Sequence, residues 1–308
     1  MVKNIFLNIL FCGCLFTACS GGSSNASSSN MSYSEDGVTV IPMNAQPGDV
    51  LNLSDFAESI ELIPLETRDD CLIGWIPEII ATKNHYVLIS GIGPTDFQHL
   101  YVYDKNGKFI RQISGRGQGG EEFLEVRDID VIGDSIIKMG DVYAIRTFNL
   151  EGKQLSSKRI NGTTQEIVSV KGKTILFDTG SYSSSKATNL LFQFDEKDDL
   201  QAEFFEIPPF ANRITSFFVN PRALTRDEES VYFHFPYNNY IYQINAETLE
   251  YSPRYKVDYG DRTFTWDMFD ENVGHVKDWV TQSKNEKNAS MCEILSLNDY
   301  FLFTSKDN

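Results

Sequence analysis

Residues Leu100–Phe123 read LYVYDKNGKFIRQISGRGQGGEEF, and the fold is decided in this stretch. Leu100 and Val102 alternate with Tyr101 and Tyr103, a turn follows, and Phe109, Ile110 and Ile113 resume the apolar pattern. Period-two alternation assigns successive side chains to opposite faces of a strand. In the turn Asp104-Lys105-Asn106-Gly107, Asp favours the first position and Gly supplies the φ > 0 position that lets the returning strand pair. The stretch therefore predicts a β-hairpin. Similar turns recur at Asn149-Leu150-Glu151-Gly152, Asp195-Glu196-Lys197-Asp198 and Asn245-Ala246-Glu247-Thr248, each after a strand-like run. They open at 104, 149, 195 and 245, in steps of 45, 46 and 50 residues. A hairpin repeating at that period implies a stack or ring of small antiparallel sheets.

Working outward, each hairpin acquires two more strands. The first unit takes Trp75–Ala81, His85–Ser90, Leu100–Asp104 and Lys108–Ser114; the second takes Val126–Ile132, Ser135–Met139, Tyr143–Asn149 and Gln154–Ile160. A third runs over Ile167–Val170, Thr174–Asp178, Leu190–Phe194 and Glu203–Ile207, and a fourth over Ser216–Val219, Ser230–Phe235, Tyr240–Ile244 and Tyr255–Val257. Four short strands with turns between them fit one propeller blade. Ile60–Leu65 reads as a further strand and Ser54–Glu58 as a helical turn. Trp266, Met268, Phe269, Val273, Val276 and Val280 recur at spacings near three and four, which predicts a helical insertion over 265–287. Met291–Leu297 and Tyr300–Thr304 begin a fifth unit without its two outer strands, so a truncated ring is expected. The expected fold class is all-β, a propeller of four-stranded antiparallel blades with about four to five blades present.

The 308 residues carry 13% aromatics, chiefly Phe and Tyr, which suits side chains packing on pleated faces. A net charge of −16 excludes a nucleic-acid footprint, which needs clustered Lys and Arg, and disfavours adhesion to anionic lipid through basic patches. The five cysteines stand at 12, 14, 19, 71 and 292, with no CxxC pair and no Cys/His cluster, so no zinc site is expected. Cys71 and Cys292 are read as isolated thiols, with a disulfide between them as the alternative.

Lys3 precedes an apolar run from Ile5 to Phe16, too short to span a bilayer as a stable helix and typical of a secretory signal. The run ends Leu15-Phe16-Thr17-Ala18-Cys19. That ending resembles a bacterial lipobox, which implies lipidation of Cys19 and removal of residues 1–18. Residues 19–34, rich in Ser and Gly, form a flexible tether, and 35–308 the folded body. Ser20 after the cysteine suits outer-membrane sorting, and the lack of an acidic cluster beyond it suits a periplasm-facing position.

The lipobox, the Ser-rich tether, Ile60–Thr67 (IELIPLET) and Val102–Ile110 (VYDKNGKFI) together resemble the six-bladed β-propeller lipoproteins of Bacteroidota-type envelopes, relatives of NHL and TolB-like propellers. Gly115–Phe123 is similar to their Gly-Arg-Gly…Gly-Glu-aromatic blade linker, with Gly120 where Pro is common, and Phe235–Tyr242 is similar to another blade segment. The resemblance covers about residues 15–304 and implies architecture, not a reaction.

Candidate site residues follow from the expected blades. Arg127, Asp128 and Asp130 lie on an innermost strand, and Asn220 and Arg222 hold a comparable place in the fourth unit. Such positions face a central channel, where they meet a ligand or ion, or else bridge neighbouring blades. The Arg116–Gly120 loop lacks the ending of a P-loop, and its glycines suit a passage between blades, with Glu121 and Glu122 available to pair with Arg116. Position twelve of a calcium loop opening at Asp104 would be Gly115, so Asp104–Gly107 is a hairpin turn and no metal ligand is assigned. His85, His99, His234 and His275 show no metal-binding spacing, with His85 and His234 read as packing residues, and no GxSxG occurs. Trp75, Tyr237, Tyr240 and Trp266 are core aromatics or stacking surfaces for a sugar or peptide.

The expected function is that of a membrane-anchored envelope lipoprotein whose propeller binds a protein or glycan partner. The competing expectations are an enzyme holding a divalent metal in the channel, with calcium as the cofactor and Asp128, Asp130 and Asn220 as scattered candidates, and a truncated copy without activity of its own.

Overall fold

Polar turns spaced one strand apart fold the chain into antiparallel meanders, because each hairpin can satisfy its backbone groups only by pairing with the next. The computed structural model describes residues 32–33, 37–43, 57–93, 96–115, 117, 119, 122–178, 189–206, 222–235, 238–262, 289–297 and 300–307. They show an all-β propeller of four-stranded antiparallel blades. Two short strands, β1 (Ser32–Tyr33) and β2 (Thr39–Pro42), precede the first blade. That blade is β3 (Trp75–Ala81), β4 (His85–Gly93), β5 (Asp96–Asp104) and β6 (Phe109–Gly115). The second is β7 (Val126–Ile132), β8 (Ile136–Asp141), β9 (Ala144–Asn149) and β10 (Gln154–Arg159). The third is β11 (Glu166–Val170), β12 (Lys173–Phe177), β13 (Asn189–Phe194) and β14 (Leu200–Glu206). The fourth is β15 (Leu224–Arg226), β16 (Val231–His234), β17 (Tyr240–Ile244) and β18 (Tyr251–Asp258), and a hairpin of β19 (Ala289–Leu297) and β20 (Tyr300–Asp307) follows.

The chain divides into two compact units. One is built on Leu62–Asn220 with Ala246–Leu249 and holds the first three blades. Its middle strands are buried on both faces, as stacked sheets require, while the outer strands β10 and β14 are largely exposed. Val87, Ile89, Leu100 and Val102 of the first blade pack with Ile129, Val131, Ile137, Met139 and Phe148 of the second. Ile145 and Ile160 in turn pack with Ile167, Leu176 and Phe194 of the third. The other unit holds the fourth blade and the β19–β20 hairpin. There β2 pairs in parallel with β18, Tyr255 facing Thr39 and Val257 facing Ile41, while β1 pairs antiparallel with β2. Ser32 and Tyr33, assigned above to the tether, are thus part of a sheet.

Three of the four expected hairpins form with one geometry, and in the fourth the closing bond runs from Asn245 N to Glu250 O with the positive φ on Leu249. Gly107 N donates to Asp104 O at 3.0 Å and Gly152 N to Asn149 O at 3.0 Å, with φ of 79° and 86° at the two glycines. Asp198 takes the same place in the third blade, its N donating to Asp195 O at 3.0 Å and its φ being 61°.

Ile60–Leu65 is a correction. Instead of joining a ladder, residues 62–68 run as an irregular strap across the face of the first blade that points away from the second. Ile63 and Leu65 turn inward onto Tyr86, Leu88, Tyr101 and Tyr103, and Ile60 and Leu62 turn outward. Pairing stops at one backbone bond, Glu66 N to Gly107 O at 2.7 Å, because Glu66 Oε2 takes up the Phe109 N–H at 2.9 Å that a ladder would have used. The alternation was real and its partner was not a strand. Cys71 is a free, buried thiol whose Sγ reaches Glu66 O, so the alternative of a Cys71–Cys292 disulfide is not realised. In the fourth blade the expected inner strand 216–219 lies outside the described residues, and the observed one is β15. The expected helical insertion 265–287 and residues 54–56 of the expected helical turn also lie outside them.

Candidate functional site

The inner strand of each blade has one edge paired to its own sheet and one edge open, so side chains from the neighbouring blade can serve the open edge. Asp128 and Asp130 do this. On β7 they project toward β11, where Asp128 Oδ2 accepts from Ile167 N at 2.7 Å and Asp130 Oδ2 from Ser169 N at 2.6 Å. Alternate residues of one strand thus cap alternate N–H groups of the next. Arg127 points elsewhere, Nη2 lying 3.2 Å from Glu125 Oε2. Arg222 is half-buried just before β15, and Asn220 lies outside the described residues.

Asp128 has company that the sequence reading missed. Glu78 on β3 and Glu166 on β11 bring carboxyls from the flanking inner strands, so three successive blades each contribute one. Burial, the charge of Glu78, a hydrogen bond with Glu78 and the charge of Glu166 push the Asp128 carboxyl well above its usual range, against the pull of Ile167 N–H. A hydrogen bond between two carboxyls needs a proton on one of them. Such a group stores a proton or accepts a cation's charge. No group of three or more His, Cys, Asp or Glu among the described residues has the arrangement of a metal site.

Other buried carboxylates are spent on architecture. Asp141, at the end of β8, accepts from Leu124 N, Glu125 N and Val142 N and pairs with Arg146 Nε at 3.0 Å. Asp178, just past β12, accepts from Thr163 N at 3.1 Å and Thr163 Oγ1 at 2.7 Å. In the first blade Ser90 Oγ accepts from Gly74 N at 3.1 Å. In each of these three blades the second strand, at or toward its far end, thereby holds the linker that enters its own inner strand.

A cavity of about 300 Å³ opens between the first two blades, at the end where the β3–β4, β5–β6, β7–β8 and β9–β10 turns gather. Val102, Ile110, Ile136 and Leu150 supply apolar lining, and His85, Arg111, Asp134 and Asn149 supply polar groups. Asp134 owes its place to a tight turn. Gly133 and Asp134 both have φ of 57°, the conformation of a type I′ hairpin loop, and Asp tolerates it better than most residues. From there its carboxylate accepts from Thr82 Oγ1, Asn84 Nδ2 and His85 Nδ1, the last at 2.9 Å. Burial works against its charge, but the bonds from Thr82, His85 and Asn84 outweigh it and bring the carboxyl down to about 2. His85, read from sequence as a packing residue, is held here by Nδ1, which leaves Nε2 as its other ring nitrogen.

Arg111 is the second polar anchor. Its Nη1 donates to Glu151 O at 2.7 Å, which fixes the guanidinium plane across the two blades. Its Nε is buried without a hydrogen-bond partner. Nothing in the alternation of β6 marks Arg111 out. Its partner comes from a repeated feature, since each outer hairpin turn docks on the element before it. Glu151 meets Arg111, Asp198 meets Lys138, and Ala246 O meets Gln193 Nε2.

The remaining sequence candidates fall elsewhere. Glu122 Oε2 accepts from Gly119 N at 2.7 Å inside the glycine loop, whose residues 116 and 121 lie outside the described residues. His99 stacks on Tyr101 at 5.4 Å, and burial lowers its pKa. His234 is fully buried, as a packing residue should be. Trp75 is 53% exposed and Tyr240 half-buried, while Tyr237, Trp266 and His275 lie outside the described residues.

Residues 38–308 match the family described as Domain of unknown function (DUF4934). A protein of Bacteroides fragilis NCTC 9343, described as exported, has a similar structure with a TM-score of 0.60 at 14% identity, covering 80% of this chain and 72% of its own. That likeness shows the fold. Glutaminyl cyclase of Myxococcus xanthus gives a TM-score of 0.38 at 11% identity over 74% of this chain and 84% of its own. Apo AztD of Citrobacter koseri gives 0.33 at 12% over 69% and 66%. No curated protein matches the chain.

Proposed function

The chain belongs to that DUF4934 family, and on this premise we propose that it is an envelope lipoprotein whose propeller is a ligand-binding module. The observation that carries the reading is the cavity between the first two blades. There His85, Arg111 and Asp134, each fixed by its neighbours, stand with an apolar wall around one space. The anchor follows from Leu15-Phe16-Thr17-Ala18-Cys19, with Cys19 lipidated and the Ser-rich segment holding the propeller off an outer membrane on its periplasmic side. Labelling cells with an alkyne-bearing fatty acid tests the anchor: wild type takes up label and fractionates with the outer membrane, whereas Cys19→Ser does neither. Label in the variant, or an unlabelled soluble wild type, sinks the anchor.

A second reading is a propeller enzyme with calcium in the channel, for which Glu78, Asp128 and Glu166 stand on three successive inner strands without the arrangement of a ready metal site. A cation there would relieve the like-charge repulsion that now falls on Asp128. Calcium should then raise the melting temperature of wild type and not of Asp128→Asn. An equal response in both, or none, removes this reading.

A further inference from the structure

We propose that Asn161 is a site of spontaneous deamidation, and that its conversion to isoaspartate loosens the linker between the second and third blades. The sequence holds two Asn-Gly pairs, Asn106-Gly107 and Asn161-Gly162. In such a pair the backbone nitrogen of the glycine reaches the side-chain carbonyl of the asparagine, because no Cβ blocks the approach. A bond forms from that nitrogen to Cγ, the bond from Cγ to the side-chain amide nitrogen breaks, and ammonia leaves with the proton of the attacking nitrogen. Water then opens the cyclic imide at either carbonyl. One product is aspartate; the other is isoaspartate, in which the chain runs through one extra carbon. Both carry a new negative charge.

The fold treats the two pairs differently. Gly107 N donates to Asp104 O at 3.0 Å inside a tight turn, and Gly107 is buried against Pro64. Reaction there must first break the turn. Asn161 and Gly162 stand in the bend between β10 and β11, with Asn161 exposed and Gly162 half-buried. Among the described residues neither the Asn161 amide nor the Gly162 N–H has a hydrogen-bond partner. The linker is held on either side of them. Ile160 N donates to Tyr143 O of the second blade at 2.9 Å, and Thr163 N donates to Asp178 Oδ2 of the third at 3.1 Å. An extra main-chain carbon lengthens the segment between those two points, so one of the bonds must give. Gly162 has no room to take up the slack toward the third blade, since Asp178 Oδ2 stands 2.7 Å from where a Cβ on Gly162 would lie.

The test holds the purified full chain at mildly alkaline pH, native or in urea, and follows both Asn-Gly peptides by mass spectrometry with enzymatic labelling of isoaspartate. In urea the two pairs should react at comparable rates, because their local chemistry is the same. In the native protein Asn161 should stay close to its unfolded rate, while Asn106 slows by about tenfold or more, the scale of breaking one hydrogen bond before the attack. Asn161→Gln should remove the first signal and leave the second unchanged, since attack would then close a larger ring. A native Asn161 that reacts no faster than Asn106 overturns the site. For the linker, the isoaspartyl form is isolated from the aged protein and compared with Asn161→Asp, which carries the charge on an unaltered backbone. The isoaspartyl form should exchange the Ile160 or Thr163 N–H faster. Equal exchange in the two overturns the loosening.

Discussion

Two aspartates separated by a few residues respond to acid in opposite directions. Asp134 has a folded pKa of about 2, below its unfolded value, so its bonds stabilise the fold above about pH 4 and that stability is lost as pH falls through 2. Because the group is partly solvated, the contribution is about 1 kcal/mol. Asp134→Asn, which keeps a side chain suited to positive φ, should show a drop in stability between pH 4 and 2 smaller than that of wild type by about 1 kcal/mol. An identical drop would place the acid sensitivity elsewhere. Asp128 is raised instead, so its fold is favoured while it stays protonated, and stability falls as pH rises from its unfolded value through the higher folded one. Asp128→Asn retains an acceptor for Ile167 N and removes the charge beside Glu78 and Glu166. The variant should therefore melt higher than wild type at pH 7, by about 1 kcal/mol of stability, and the two should converge near pH 4. A variant less stable at pH 7 would show that the charge itself, through a bound cation, holds the inner strands.

At the scale of elements, the outer hairpin turn is the device that repeats. In the first three blades its fourth residue, at positive φ, presses on whatever lies before the blade. A Cβ on Gly107 would come 2.2 Å from Pro64 O, and one on Gly152 would touch Ile113 Cδ1 at 3.6 Å. In the third blade Asp198 replaces glycine and sends its carboxylate to Lys138, Thr147 Oγ1 and Ser156 Oγ of the second. The ion pair is nearly enclosed, with Lys138 8% and Asp198 1% exposed at the side chain. Asp198→Gly should relieve the backbone but strand the ammonium, with a net loss of about 3 kcal/mol in denaturant melts. Lys138→Met in the same chain should recover much of it, and additive losses would deny the coupling. The spacing of these turns was legible in the sequence because turn chemistry is local. Their docking was not, since it depends on which blade stands next, and the pairing of Asp134 with His85 or of Asp128 with Glu78 was hidden for the same reason. Asp128 and Asp130 stand on β7, and their carboxylates accept from backbone N–H groups of β11 in the next blade.

For the molecule as a whole, a series of blades raises the question of what covers the first. In the three-blade unit the second blade covers one face of the first, and the strap covers the other. The strap meets Gly107 as the first blade meets Gly152, so an irregular segment occupies the position of a preceding blade. This explains why Ile60–Leu65 keeps a strand-like alternation without pairing as one: it needs an inward apolar row and has only a single turn to bond with. Strap and blade are joined through Glu66, whose backbone N–H and carboxylate both reach the first blade's outer hairpin. Gly107→Ala adds a methyl where Pro64 O stands and forces a left-handed alanine, so the strap must lift. The expected result is a loss of about 2 kcal/mol, together with faster hydrogen exchange at Glu66 and Phe109 and greater reactivity of the Cys71 thiol. Gly37→Ala is the control, because its φ of 76° is also positive but no atom lies within 4 Å of the added carbon. Should both variants lose the same stability, with Cys71 equally protected, backbone strain alone would account for Gly107, and the strap would be a passenger on the first blade instead of its cover.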